Sequence, residues 1–205
     1  MPLKPIVFIV DDDPAVLKGL SRLLRSAGLA AETFPSSQDF LSRYLPHTPG
    51  CLVLDVAMPG LDGLELQQAL AAKGIAVPII FLTGHGDIPM SVQAMKRGAA
   101  DFLTKPVNDN DLLNAIRTAI EKDRGARRAR AEVAEIQQRL ATLTPREHEV
   151  LQHVITGQLN KQTAAELGTA EKTVKVHRAR VMEKMKAQSL VDLVRLAEKA
   201  GIGGK

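Results

Sequence analysis

Five short strand-length runs, three of them apolar throughout, alternate with helix-length amphipathic stretches over the first 123 residues, and this alternation constrains the fold more than any other feature of the chain. The runs cover residues 6–10, 30–33, 51–54, 78–82 and 101–104, and the first, IVFIV, has no polar position. A strand that is apolar throughout is covered on both faces, which points to a parallel sheet rather than an antiparallel one with a wet side. Helical spacing fills the intervals: 14–26, with Leu17, Leu20 and Leu24 on one face, then 36–45, 62–73 and 88–97. A last helix from Asn108 carries Leu112, Leu113, Ile116 and Ile120. Strands alternating with helices of this length predict an α/β domain, a five-stranded parallel sheet wrapped by helices on both faces.

The first strand ends in Asp11, Asp12 and Asp13, three like charges that repel one another and call for a reason. Asp55 follows the third strand, Thr83 the fourth and Lys105 the fifth, so each stands at a carboxyl end, where open parallel sheets gather their ligand groups. In the flavodoxin-like strand order 2-1-3-4-5 the first and third strands are neighbours, which brings Asp11, Asp12 and Asp55 together. Converging carboxylates stay ionised only beside a cation or with strongly raised pKa values. Hard oxygen donors with room left for water and a phosphate suit Mg²⁺. Asp13, directly before Pro14, is placed to cap the helix that follows.

With 45% hydrophobic residues, 205 residues can fill one or two packed cores. No apolar stretch approaches the roughly 20 residues of a membrane span, and the N-terminal apolar segment ends in acids, unlike a secretory signal. Cys51 is the single cysteine; it reads as a small core residue, and the lack of a possible internal disulfide predicts a reducing cytoplasm, while the lack of a spanning stretch predicts no membrane partner. The charge is unevenly spread. Residues 1–123 hold 11 Lys and Arg against 14 Asp and Glu, and residues 124–205 hold 16 against 9, so a basic second part adjoins a mildly acidic first part.

Between residues 108 and 143 there is no Pro and one Gly, Gly125. Residues 124–142 therefore read as a long helical linker, its Arg run a solvated face, with Val133, Ile136, Leu140 and Leu143 spaced for a packed seam. Residues 143–205 read as an all-α domain. TPRE at 144–147 is a capping box with Pro at the first helical position, and Gly157 closes that helix. Asn160 reads as the cap of a short helix ending near Gly168, Thr169 as the cap of another over 170–185, and a fourth covers 190–200 with Gly201 as its stop.

IVDDD, LVLDVAMPGLDGLEL, FLTGHGD and GAADFLTKP, in this order and spacing, resemble the receiver domain of two-component response regulators. The resemblance implies that Asp55 is the phosphoacceptor, charged by a sensor histidine kinase. It implies Mg²⁺ bound by Asp12 and Asp55, by the Ala57 backbone carbonyl, and by Asp11 through water. It implies Thr83 as switch hydroxyl, Phe102 as switch aromatic, Lys105 as partner of the phosphoryl oxygens, and a cis Lys105–Pro106 bond. Ala57 stands where many members carry a polar side chain, a difference that bears on phosphoryl lifetime. His85, with no second His near it in sequence, reads as a loop residue.

The segment from Leu143 to about Ala200, above all KTVKVHRARVMEKM, resembles the LuxR/FixJ-type helix-turn-helix. Helical phase is an independent test. At about 100° per residue Val174, Val181 and Met185 share one face, leaving Lys172, Lys175, Val176, Ala179 and Glu183 opposite with Arg180 at the edge; of these all but Glu183, together with Thr173, are the candidate DNA contacts. Val and Ala among cations suit a DNA groove, where apolar groups can meet a thymine methyl. His177 falls towards the buried side and reads as a packing residue or phosphate contact. The FixJ-type resemblance implies promoter DNA as a partner, RNA polymerase beyond it and dimerisation on phosphorylation; a closer similarity of the whole chain to a catabolic regulator within that family implies activation of an operon for breakdown of an aromatic compound. The alternatives are a haloacid-dehalogenase-type phosphatase, which would carry a second acid where Ala57 stands, and a receiver that docks only a protein.

Overall fold

The structure, a computed structural model, describes residues 4–84 and 88–203; His85 lies outside them. Five parallel strands, β1 (Ile6–Val10), β2 (Ala30–Phe34), β3 (Gly50–Asp55), β4 (Ile79–Thr83) and β5 (Asp101–Thr104), form one sheet in the order β2-β1-β3-β4-β5. Their bounds agree with the five runs read from the sequence to within one residue at each end. Between them lie α1 (Pro14–Ser26), α2 (Ser37–Arg43), α3 (Gly63–Ala72) and α4 (Ile88–Lys96), and α5 (Asp109–Leu140) follows β5.

Alternation along each strand sorts the core into two layers. Phe8, Val10, Leu52, Leu54 and Phe81 pack with Phe34, Phe40, Leu66, Leu70 and Ala94, on the face covered by α2, α3 and α4. Val7, Ile9, Val53, Ile80 and Leu82 point the other way, against Leu24 of α1 and Leu112, Ile116 and Ala119 of α5. Cys51 belongs to this second layer, and burial together with the charge of Asp123 pushes its thiol up to about 12, so it is inert core. Asp123, itself buried, accepts a 3.0 Å hydrogen bond from the Gly50 amide and so ties α5 to the start of β3.

Two compact units divide after Ala126. The second contains the end of α5, then α6 (Pro145–Ile155), α7 (Asn160–Glu166), α8 (Glu171–Met185) and α9 (Leu190–Lys199). Val150, Leu151, Val154, Val174, Val181, Met185 and Leu193 form its core, and Ile136 and Leu140 join them. The seam read in residues 124–142 thus has its partner within the second unit, and the division stands at 126 where the sequence suggested a separate linker.

The capping box at Thr144 forms as read: Glu147 donates its amide to Thr144 Oγ1, and Thr144 returns its own amide to the Glu147 carboxylate at 2.8 Å. Asp13 also caps as read, accepting from the Ala15 amide at 2.7 Å. Two other caps fall elsewhere. Leu159 and Ala170, not Asn160 and Thr169, precede α7 and α8. The Asn160 side chain accepts from Arg178 of α8 instead, and the Gln162 side chain takes the Leu159 amide, so a tertiary partner displaced the local cap. Among the described residues no helix is long and apolar enough to cross a membrane.

Candidate functional site

Register assembles the acid pocket. Val10 pairs with Leu54 across β1 and β3, so Asp11 and Asp55 leave the sheet side by side. Asp55 pairs with Leu82, which sets Thr83 one residue further on, and Thr83 pairs with Thr104. The Lys105 amide donates to the Thr83 carbonyl at 2.7 Å, fixing the start of the Lys105 segment against the end of β4. From there Lys105 Nζ reaches Asp11 Oδ2 at 2.7 Å and Asp55 Oδ1 at 3.0 Å. Oxygens of Asp11, Asp12 and Asp55 lie within 4.8 Å of one another.

The electrostatics follow from burial. Asp11 and Asp55 are 1% and 7% exposed, whereas Asp12 is open to solvent. Desolvation raises the Asp55 carboxyl above its ordinary range; the hydrogen bond and charge of Lys105 only partly offset this, and Asp11 adds to the rise. Burial alone would lower Lys105, but its bonds to Asp11 and Asp55 outweigh it and hold the side chain as an ammonium. One ammonium among three carboxylates leaves net negative charge. That donor set, all hard oxygen with Asp12 facing water, fits Mg²⁺ and leaves coordination positions for water or a phosphoryl oxygen.

Local sequence shapes the rim. Asp62 and Glu65 form a reciprocal capping box at the start of α3. A Cβ on Gly63 would stand 2.3 Å from the Asp55 carbonyl oxygen, so glycine is what lets α3 begin this close to the pocket. Thr83 is buried at 3% exposure, and half-buried Phe102 has its ring 6.1 Å from that of Phe81. Ala57, two residues past Asp55, is exposed. The Lys105–Pro106 bond is cis.

A second candidate site lies on α8. Val174, Val181 and Met185 are fully buried. Lys172, Thr173, Lys175, Val176, Ala179 and Arg180 are all exposed, Val176 at 45%. An apolar residue left open among cations is what a major-groove surface needs. Half-buried His177 lies inward, as its phase implied. What sequence reasoning missed on this helix is half-buried Lys184, which donates to the carboxylate of Glu147, 37 residues earlier. Glu147 was legible as a cap; nothing local marked its second partner.

Residues 7–117 match the family described as response regulator receiver domain, and residues 141–197 match the one described as bacterial regulatory proteins, luxR family. The chain is 52% identical over 199 residues to nodulation protein W of Bradyrhizobium diazoefficiens, covering 97% of this chain and 88% of that protein. It is 49% identical to response regulator protein TmoT of Ectopseudomonas mendocina, covering 95% of this chain and 88% of that one. Among solved structures, that of response regulator StyR superposes with a TM-score of 0.88 at 50% identity, over 96% of this chain and 99% of that one.

Proposed function

Since the chain belongs to the two-component response regulators that join a receiver domain to a LuxR-type DNA-binding domain, we propose that Asp55 is the residue through which it is switched. The observation that carries this is the contact of Asp55 Oδ1 with Lys105 Nζ at 3.0 Å, inside a cluster of carboxylates at the switch point of the sheet. An Asp55 oxygen attacks the phosphorus of a phosphohistidine on a sensor kinase; a P–O bond forms as the P–N bond breaks. Lys105, already an ammonium, holds the transferred oxygens, and partly buried surroundings keep its charge effective.

Mg²⁺, when bound by Asp12, Asp55, the Ala57 carbonyl and, through water, Asp11, supplies neutralisation of phosphoryl charge. Thr83 then turns its hydroxyl to the new oxygens and Phe102 moves into the space it leaves, a local charge change biasing a two-state element. That favours a homodimer, binding of promoter DNA through Lys172, Thr173, Lys175, Val176, Ala179 and Arg180, and activation through RNA polymerase. The likeness noted in the sequence makes an operon for aromatic-compound breakdown the target.

A small phosphodonor with Mg²⁺ should add one phosphoryl group, seen as a mass shift that maps to Asp55, and Asp55→Asn should not be labelled. Equal labelling of that variant would move the phosphosite. Sedimentation with and without a beryllofluoride phosphoryl mimic should show dimer gained on activation; a monomer under both conditions that still binds its operator tightly would remove the dimer step.

A further inference from the structure

Lys184 sits on the recognition helix only about 40° round from Arg180 at 100° per residue, a position from which a cation can reach a DNA phosphate. The structure sends it inward. Its ammonium donates to Glu147 Oε2 at 2.6 Å and to the Thr142 carbonyl at 2.9 Å. The Glu147 side chain is 2% exposed and also accepts the Thr144 amide, so both partners of Lys184 belong to the corner where α5 gives way to α6. Those bonds hold the Glu147 carboxyl down at about 2. On the same end of α8, Arg139 from the last turn of α5 donates to the Met185 carbonyl at 3.2 Å. At mid-helix, Arg178 donates to Asn160 of α7 at 3.2 Å. The apolar core fixes how far α8 stands from α6, but non-directional contacts leave tilt along the helix soft; short charged hydrogen bonds at its C-terminal end are directional.

We propose that Glu147 and Lys184 are a positioning pair that sets the angle of the recognition helix, so that Lys184 contributes to sequence discrimination without touching DNA. The proposal rests on α8 being the DNA-reading helix. Selectivity depends on side chains reaching base edges at fixed angles, whereas phosphate contacts tolerate small rotations. Loss of the pair should therefore cost specific binding and spare non-specific binding.

The test uses the full chain, a duplex selected by the wild-type protein from a random library, and a scrambled duplex of equal length. Lys184→Met alone leaves a buried carboxylate unpaired and can unfold the domain, so the informative variant is Glu147→Gln with Lys184→Met, where both charges go. Its far-UV spectrum and melting should stay close to wild type. Its affinity for the selected duplex should fall about tenfold, the scale of one mismatched base pair, with under twofold change for the scrambled duplex. Lys184→Arg, which keeps the charge but lengthens the arm, should fold and show a smaller loss of the same kind. Salt slopes of both variants should equal that of wild type. A slope reduced by about one would make Lys184 a phosphate contact. Wild-type discrimination in a folded double variant, or in Lys184→Arg should the double variant unfold, would reduce the pair to a stabilising contact. If Lys175→Ala also binds both duplexes as wild type does, it is the DNA-reading assignment of α8 that fails.

Discussion

At the acid pocket β1, β3, β4 and β5 must be in register before Asp11, Asp12, Asp55, Thr83 and Lys105 meet, whereas on α8 six side chains are placed by the pitch of one helix. The pocket therefore draws its precision from the whole sheet, and its charges are held by desolvation and by one another. The basic face has no such support from its own members, which stand in water and interact weakly. Chemistry on a single oxygen needs the first arrangement. A surface that slides along a polyanion before locking onto bases can use the second, provided the helix beneath it is held.

The largest way to break that contrast is to disturb the pocket from outside its charged groups. In Gly63→Ala the new methyl would stand 2.3 Å from the Asp55 carbonyl, with backbone on the other side, so α3 or the end of β3 must shift. We expect about 2–3 kcal/mol of lost stability by urea denaturation, the usual range for forced overpacking, and slowed phosphoryl labelling of Asp55. Labelling at the wild-type rate would mean that the pocket tolerates displacement of its strand end. No single non-glycine position on the exposed face of α8 should carry a comparable cost.

A second test sets buried against exposed charge within the DNA-binding unit. Glu147 titrates at about 2 in the folded chain against an ordinary 4.5, so its contribution is complete above the unfolded value and is lost as pH falls from about 4.5 towards 2. At neutral pH Glu147→Gln should lower the stability of this unit by about 2 kcal/mol, as for a charged hydrogen bond removed from one side. Amide exchange along α8, read at pH 7 and pH 3, should show wild type losing part of its advantage over the variant, the rest going only as pH approaches 2. An advantage undiminished at pH 3 would place the Glu147 pKa elsewhere.

These two sites were unequally readable. Strand bounds and the acids at their ends were plain because continuous apolar runs and the parallel-sheet rule act over short spans. The phase of α8 was plain too: Val174, Val181 and Met185 are buried as 3.6-residue periodicity requires. What stayed hidden joins residues far apart in the chain. Asp123 to Gly50 spans 73 positions and Lys184 to Glu147 spans 37, and no local signal points from one end to the other. The cap at Asn160 was misplaced for the same reason, since Arg178 claims its side chain from 18 residues away. The 3–4–3 spacing from Val133 showed that a seam existed but not that its partner was the core of the second unit.

On the basic face itself the effects should be smaller and should differ by position. Lys175→Ala and Arg180→Ala remove exposed cations and should leave folding and Asp55 labelling unchanged. Each should weaken DNA binding by about 1 kcal/mol. If Lys175 meets only phosphate, the loss is even across sequences and the salt slope falls by about one; if it meets a base edge, discrimination falls at one position. Anisotropy titrations at several salt concentrations separate the two. Unchanged affinity in both variants would take the face off DNA altogether.

The smallest expected effect concerns the element the two units share. α5 is continuous from Asp109 to Leu140, and the division into compact units falls one residue after Gly125. A glycine inside a helix costs about 0.5–1 kcal/mol relative to alanine, because it has more backbone freedom to lose. Here no packing argument requires it: a Cβ at Gly125 would meet nothing within 4 Å. The residue is therefore a point of low helical stability where the chain passes from one unit to the other, and each unit's core uses a part of α5, through Ile116 in one and Ile136 in the other. Gly125→Ala should raise hydrogen-exchange protection of the amides around residues 122–128 by about two- to fivefold, that energy expressed as an equilibrium factor. Labelling of Asp55 and DNA binding by the unphosphorylated chain should not change, because neither site is touched. The ratio of DNA affinities with and without the phosphoryl mimic should shift by no more than the same factor, since a substitution can bias a two-state equilibrium only by its differential effect on the two states. Protection left at the wild-type level would show that the helix is not weakest at Gly125.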